Sequence, residues 1–174
     1  MNNFRSIFVE VKDRTFCDTA KCFYLYSLVK SVQDKEGEIA EVGVYRGGTG
    51  KLIAKASPKP VHLFDTFTGL PEATAKVDRL VRGELANTSV EEVRMFLADC
   101  PNVVIYPGMF PATGGPVADK KFCFVHIDTD NYRSIAECLK FFYPRMVLGG
   151  VMVIDDYEWF DCPGVKKAID EFFV

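Results

Sequence analysis

The chain has no apolar run approaching the roughly 20 residues that cross a bilayer, and no cluster of basic residues. The first absence excludes a membrane-spanning helix. The second, with a net charge of −3, removes the electrostatic footprint of a nucleic-acid binder. No CxxC pair occurs among the cysteines at 17, 22, 100, 123, 138 and 162, and there are only 2 histidines. A structural zinc centre therefore lacks its usual ligands. Scattered thiols of this kind are expected to be reduced and packed inside, as in a cytoplasmic protein. The N-terminal MNNFRSIFVEVKDR carries charges throughout, unlike a signal peptide. Internal repeats and low-complexity tracts are also missing.

What is present is ordinary globular composition: 174 residues, 48% hydrophobic and 26% charged, enough for one domain, residues 1–174. Strand-like and helix-like segments alternate along it. Residues 1–36 are expected to form a helical segment, with Cys22, Leu25, Tyr26 and Val29 at helical spacing. EIAEVGVY reads as a first strand, followed by the helix RGGTGKLIAKAS, and VHLFDTF as a second strand. Residues 71–88 are polar and irregular, a long loop or substrate lid. A capping box, Thr88 with Glu91 or Ser89 with Glu92, opens a helix reaching about Asp99. VVIYPG, FCFVHID and GGVMVIDDY are three further strands. The helix SIAECLKFFYPRM, ended by Pro144, separates the last two, and CPGVKKAIDEFF closes the chain as an amphipathic helix.

Continuous apolar strands alternating with helices predict a parallel sheet covered on both faces, a Rossmann-like α/β fold. Ligands of such sheets bind outside the carboxyl ends of the strands, near the point where strand order reverses. The unusual residues all fall at such ends. At the first, Glu41-Val42-Gly43-Val44-Tyr45-Arg46-Gly47-Gly48-Thr49 gives a turn that allows close backbone approach. Its spacing, Gly43-x-x-x-Gly47-Gly48, is not the GxGxxG of a pyrophosphate site, which disfavours NAD. Asp65 ends the second strand 22 residues after Gly43, where an acid is expected to receive ribose hydroxyls. A nucleoside without bridging phosphates fits, S-adenosylmethionine (SAM) best. The blander reading is that Asp65 caps a turn.

The fourth and fifth strands end in Asp128-Thr129-Asp130 and Asp155-Asp156. Neighbouring strand ends lie about 4.8 Å apart, so Asp128, Asp155 and Asp156 are expected to converge. Such carboxylates raise one another's pKa unless a cation neutralises them. Oxygen donors with few histidines favour a hard ion, Mg²⁺ above Ca²⁺ or Mn²⁺. His126 shares a side with Asp128 and is read as a hydrogen-bonded core histidine rather than a ligand. Helix capping would account for Asp130 or Asp156, and for Asp161 before the last helix, but not for four acids at adjacent ends.

Five segments carry a resemblance: EVGVYRGGTGKL, LFDTFTGLPE, GELANTSVEEVRMFL, FVHIDTDNYRSIAECLKFFYPRMVLGGVMVIDDYEW and PGVKKAIDEFF. In this order they are similar to the macrocin O-methyltransferase (TylF-type) branch of the class I SAM-dependent methyltransferases. The resemblance implies Mg²⁺-dependent methyl transfer to a hydroxyl of a small molecule, often a natural-product sugar. It implies Asp128, Asp155 and Asp156 as metal ligands, with Asp130 as general base. It implies cofactor contacts from Glu41, Gly43, Asp65, Thr66 and Phe67, within a turn that includes Val44, Tyr45, Gly47, Gly48 and Thr49. Relatives continue past the DEFF helix with two more strands, so the sheet is expected to lack its C-terminal pair. The apolar edge VMVI then calls for a partner subunit, giving an expected homodimer. Asn131 replaces a larger or acidic family residue, which is expected to bear on acceptor choice. The alternative function is a non-catalytic SAM-binding or interaction module derived from a truncated methyltransferase.

Overall fold

A computed structural model of the chain describes residues 2–74 and 77–174. Helices α1 (Asn2–Val11) and α2 (Thr19–Ser31) precede strand β1 (Glu38–Val42). The chain continues through α3 (Gly48–Ala56), β2 (Val61–Asp65), α4 (Val90–Phe96) and β3 (Val103–Pro107). It finishes with β4 (Phe122–Ile127), α5 (Tyr132–Phe142), β5 (Met146–Ile154) and α6 (Pro163–Phe172). No helix among the described residues is long and apolar enough to cross a membrane.

The five strands form one sheet in the order β3-β2-β1-β4-β5, every neighbouring pair parallel. From β1 the chain steps outward to β2 and β3, then returns to the other side of β1 to lay down β4 and β5. Strand order therefore reverses between β1 and β4, and a crevice opens at their carboxyl ends. Alternation along each strand feeds two cores. On one face Ile39, Leu63 and Phe124 pack with Leu25 of α2, Ile53 of α3 and Val93 of α4. On the other, Val42, Phe64 and Ile127 pack with Ile135, Leu139 and Phe142 of α5 and Val165 of α6.

Local chemistry sets the helix starts. Ser89 rather than Thr88 caps α4, its side chain accepting the Glu92 N–H. Asn131 caps α5, accepting the Ser134 N–H at 2.9 Å. Capping thus does not explain Asp130, and the buried Asn131 spends its amide oxygen on this helix. Nor does Asp161 cap α6, whose N-cap is Cys162 without a side-chain bond. Strand β5 begins at Met146, earlier than its apolar run suggests, because Phe122 pairs with Met146 while Phe124 pairs with Val151. The surplus residues bulge, with Gly149 at φ +72° and Leu148 fully exposed. Residues 71–88 carry no helix or strand among those described; Ala75 and Lys76 of this expected lid lie outside the described residues.

Just past the ends of β1 and β4 the backbone passes close at Gly43, where a Cβ would stand 1.7 Å from the Asp128 carbonyl oxygen and φ is +90°. Gly83 has a similar φ of +87° but nothing near its missing Cβ. Gly43→Ala is therefore expected to lower stability by about 3 kcal/mol or more, through strain and steric clash together. Gly83→Ala should cost only about 1–2 kcal/mol of left-handed strain. Urea unfolding of the two variants measures the difference; equal losses would contradict the close approach.

Candidate active site

The carboxyl ends of β1, β2, β4 and β5 surround a cavity of about 550 Å³. Its walls are largely apolar, with Leu70, Leu80, Leu85, Met109 and Phe110 among them, and its polar groups sit at the strand ends. This is the expected form of a small-molecule site: an apolar enclosure with few convergent polar groups.

One half is the turn after β1. The Asp65 carboxylate reaches across from β2 and accepts the Val44 and Tyr45 N–H groups at 2.7 and 2.8 Å. Its other oxygen accepts the Phe67 N–H at 2.8 Å. Asp65 thus organises the glycine turn, as the turn-capping reading anticipates, and a carboxylate with about four acceptor positions keeps capacity for a ligand hydroxyl. Thr88 donates its hydroxyl to the Tyr45 carbonyl from the far side, holding Tyr45 in its positive-φ conformation (φ 50°). Of the expected cofactor contacts, Gly43, Val44, Tyr45, Thr49, Asp65 and Thr66 line the cavity. Glu41, Gly47, Gly48 and Phe67 do not. Gly47 turns the chain into α3 at φ +84°, and Gly48 leaves room for the Arg14 carbonyl. Glu41 is wholly buried, its Oε1 2.9 Å from Nδ1 of His126. Burial would lower the histidine pKa, but Glu41 beside it raises it. His126 is the hydrogen-bonded core histidine that was expected.

The other half holds the acids. Ligand atoms of Asp128 and Asp155 lie within 4.8 Å of each other and of the Cys17 thiol. Those of Asp130 and Asp156 gather likewise with Cys162. The three expected metal ligands are therefore divided: Asp128 and Asp155 converge, while Asp156 turns toward Asp130. The backbone explains the division. Asp130 and Asp156 both have positive φ, 60° and 59°, which rotates each away from the preceding acid. Lys21, from the first turn of α2, joins the two groups, its Nζ 2.8 Å from Asp155 and 3.3 Å from Asp156.

Charges in this volume are strongly perturbed. Burial pushes Asp128 well above the ordinary carboxylate range; His126 opposes this, and Asp130, Asp155 and Asp156 add to it. Burial, then the neighbouring Asp156, pushes Asp130 up to about 7. Burial would also raise Asp155, but its bond to Lys21 holds it below the usual value. The Cys17 thiol is driven up by burial and then by Asp128 and Asp155, so it stays a thiol rather than a soft thiolate ligand. What the cluster offers a cation is carboxylate oxygen, the donor set of a hard divalent ion. Of the three expected ligands, Asp128 and Asp155 are placed to fit such an ion, Mg²⁺ included.

Lys21, Cys17 and Cys162 are the site residues that sequence reasoning missed. Cys17 precedes the α2 cap and Lys21 lies in its first turn, yet nothing in the sequence says that this end of the helix meets an acid about 135 residues away. Trp159, the only tryptophan, also lines the cavity.

A model of the macrocin-O-methyltransferase (TylF) family matches residues 23–173. Demethyldecarbamoylnovobiocin O-methyltransferase from Streptomyces niveus is 28% identical over 153 residues, which cover 78% of this chain and 58% of that protein. A tetracenomycin rhamnosyl 4′-O-methyltransferase from Streptomyces olivaceus is 32% identical over 156 residues, covering 78% and 58%. The chain thus spans less than two thirds of the length of these curated relatives. Among solved structures, that of the O-methyltransferase NovP superposes with a TM-score of 0.78 at 27% identity, over 91% of this chain and 73% of that one. The calicheamicin methyltransferase CalS11, with a TM-score of 0.75 at 16% identity, covering 98% and 82%, shares the fold. With a five-stranded parallel sheet, an acid-lined crevice at its switch point and a family match over nearly the whole chain, the protein belongs to the macrocin-O-methyltransferase family.

Proposed function

We propose that the protein transfers a methyl group from SAM to a hydroxyl of a sugar-bearing small molecule, with Mg²⁺ as cofactor. The observation that carries this reading is the meeting, in one cavity, of a nucleoside-sized turn closed by Asp65 and a cluster of four carboxylates. The relatives' names support the acceptor class: one acts on a rhamnosyl 4′ oxygen, and another, from Micromonospora griseorubida, is a mycinamicin III 3″-O-methyltransferase. A non-catalytic SAM-binding module is not favoured, because such a module has no use for perturbed carboxylates beside the cofactor turn.

Asp65 and the Gly43–Tyr45 turn would hold the nucleoside, the Asp65 carboxylate receiving the ribose hydroxyls with its remaining acceptor capacity. Free N–H groups in the first turn of α3, beside Thr49, suit the carboxylate of the methionine moiety. Asp128 and Asp155, whose oxygens already converge, would hold Mg²⁺ together with Asp156, whose side chain would have to turn from Asp130 to join them; the ion would supply Lewis acidity that makes a sugar hydroxyl easier to deprotonate. Asp130 accepts the hydroxyl proton; its burial makes it a stronger base than an exposed aspartate. Leu70, Leu80 and Leu85 exclude water, so the nucleophile meets the methyl group rather than solvent. No covalent intermediate with the protein is required, and much of the acceleration comes from alignment of oxygen and methyl.

Two measurements test this. Methyl transfer from labelled SAM to a panel of glycosides and phenols should fall at least 100-fold with EDTA and with Asp128→Asn; turnover indifferent to both would remove the metal. Asp130→Asn should lower kcat by about 10²–10⁴-fold, the usual worth of a general base. Its SAM affinity by calorimetry should not change, and an unaltered kcat would assign the proton to another group.

A further inference from the structure

The ammonium of Lys21 occupies a position that local helix chemistry does not explain. It stands in the first turn of α2, where the helix dipole disfavours a cation. Its compensation comes from across the molecule: Asp155 and Asp156, at 2.8 and 3.3 Å, the two acids that close β5. Among the described residues, Lys21 is the only cation ion-paired to any of the four clustered aspartates. Burial would lower its pKa, but Asp155 and then Asp156 raise it, so it is charged.

We infer that Lys21 is a built-in counter-ion of the site, which a divalent cation displaces on binding. This rests on the metal reading above and adds a residue and an order of events to it. Both acids that Lys21 grips are proposed metal ligands, and an ammonium in direct contact with them repels a dication entering the same volume. The geometry permits exchange. The Lys21 side chain is 47% exposed and sits on a flexible four-carbon stem, so its charge can swing into water. Its backbone need not follow, because Asp18 caps α2 by accepting the Lys21 N–H at 2.8 Å. With the ion absent, Lys21 neutralises the end of β5 and ties it to α2. Once the ion is bound, the helix stays and the ammonium leaves. Lys21 thereby sets the Mg²⁺ concentration at which the site fills.

The test titrates MgCl₂ into EDTA-stripped wild type, Lys21→Met and Lys21→Arg by calorimetry, with Trp159 fluorescence as a second signal. Melting temperatures are taken with EDTA and with saturating MgCl₂. Lys21→Met is expected to bind Mg²⁺ at least tenfold more tightly than wild type, while Lys21→Arg, which keeps the charge, stays near wild type. The methionine variant should melt below wild type in EDTA, and the gap should close in Mg²⁺. A lysine that only braces the fold would lower both melting temperatures equally and leave affinity unchanged. If wild type binds Mg²⁺ and Lys21→Met binds it no more tightly, the counter-ion role is wrong and the metal reading stands. If neither protein binds Mg²⁺, both are wrong.

Discussion

The mutual repulsion of carboxylates at the ends of two adjacent parallel strands is the constraint around which this structure is arranged. Burying a charge is unfavourable unless something of opposite sign or a strong hydrogen-bond donor answers it. Here four aspartates crowd the carboxyl ends of β4 and β5, and each is answered differently. Asp155 takes Lys21. Asp130 and Asp128 are pushed toward the protonated form by burial. Asp156 sits between Lys21 and Asp130. A protein selected for stability alone would place apolar or singly charged residues there. Four acids gathered in one cavity suit the exchange of charge that the proposed methyl transfer would need.

Backbone strain supports the same arrangement. Tyr45, Phe67, Asp130 and Asp156 all have positive φ without being glycine, and all four border the crevice or the turns that frame it. Each such residue costs about 1–2 kcal/mol. Surrounding bonds hold three of them: Asp65 and Thr88 hold Tyr45, Asp65 holds the Phe67 N–H, and Asp155 accepts the Asp156 N–H. The two strained aspartates divide the acids into an inner pair facing Cys17 and an outer pair facing Cys162. His126, hydrogen-bonded to Glu41, feels the charges of Asp128 and Asp155, and all four acids line the cavity.

The cofactor side shows how one carboxylate can serve twice. Asp65 was legible as an acid at a strand end, with ribose binding and turn capping as its two readings. The structure shows the capping directly, in three backbone N–H bonds, while Asp65 also lines the cavity. Glu41 shows the opposite. Its place in the glycine segment suggests a ligand contact, yet strand alternation turns it toward α3, where Gly50 makes room for its carboxylate. Nothing in a run of eight residues reveals which face a strand residue takes when both faces are buried.

The parallel α/β architecture, the strand ends that carry function and the identity of the acids were all legible in the linear sequence. Apolar runs of strand length, the glycine turn and the two Asp-rich segments are local signals, and local signals survive without a fold. Tertiary structure decided what depends on distance and direction. It made Ser89 rather than Thr88 the cap, bulged β5 around Leu148, divided the acids into two pairs and brought Lys21 to them. A lysine on a helix near the N-terminus and an aspartate more than 130 residues later share no pattern in sequence. Only the placing of the first turn of α2 beside the end of β5 sets their charges close enough to matter, because Coulomb attraction depends on separation in space and not along the chain.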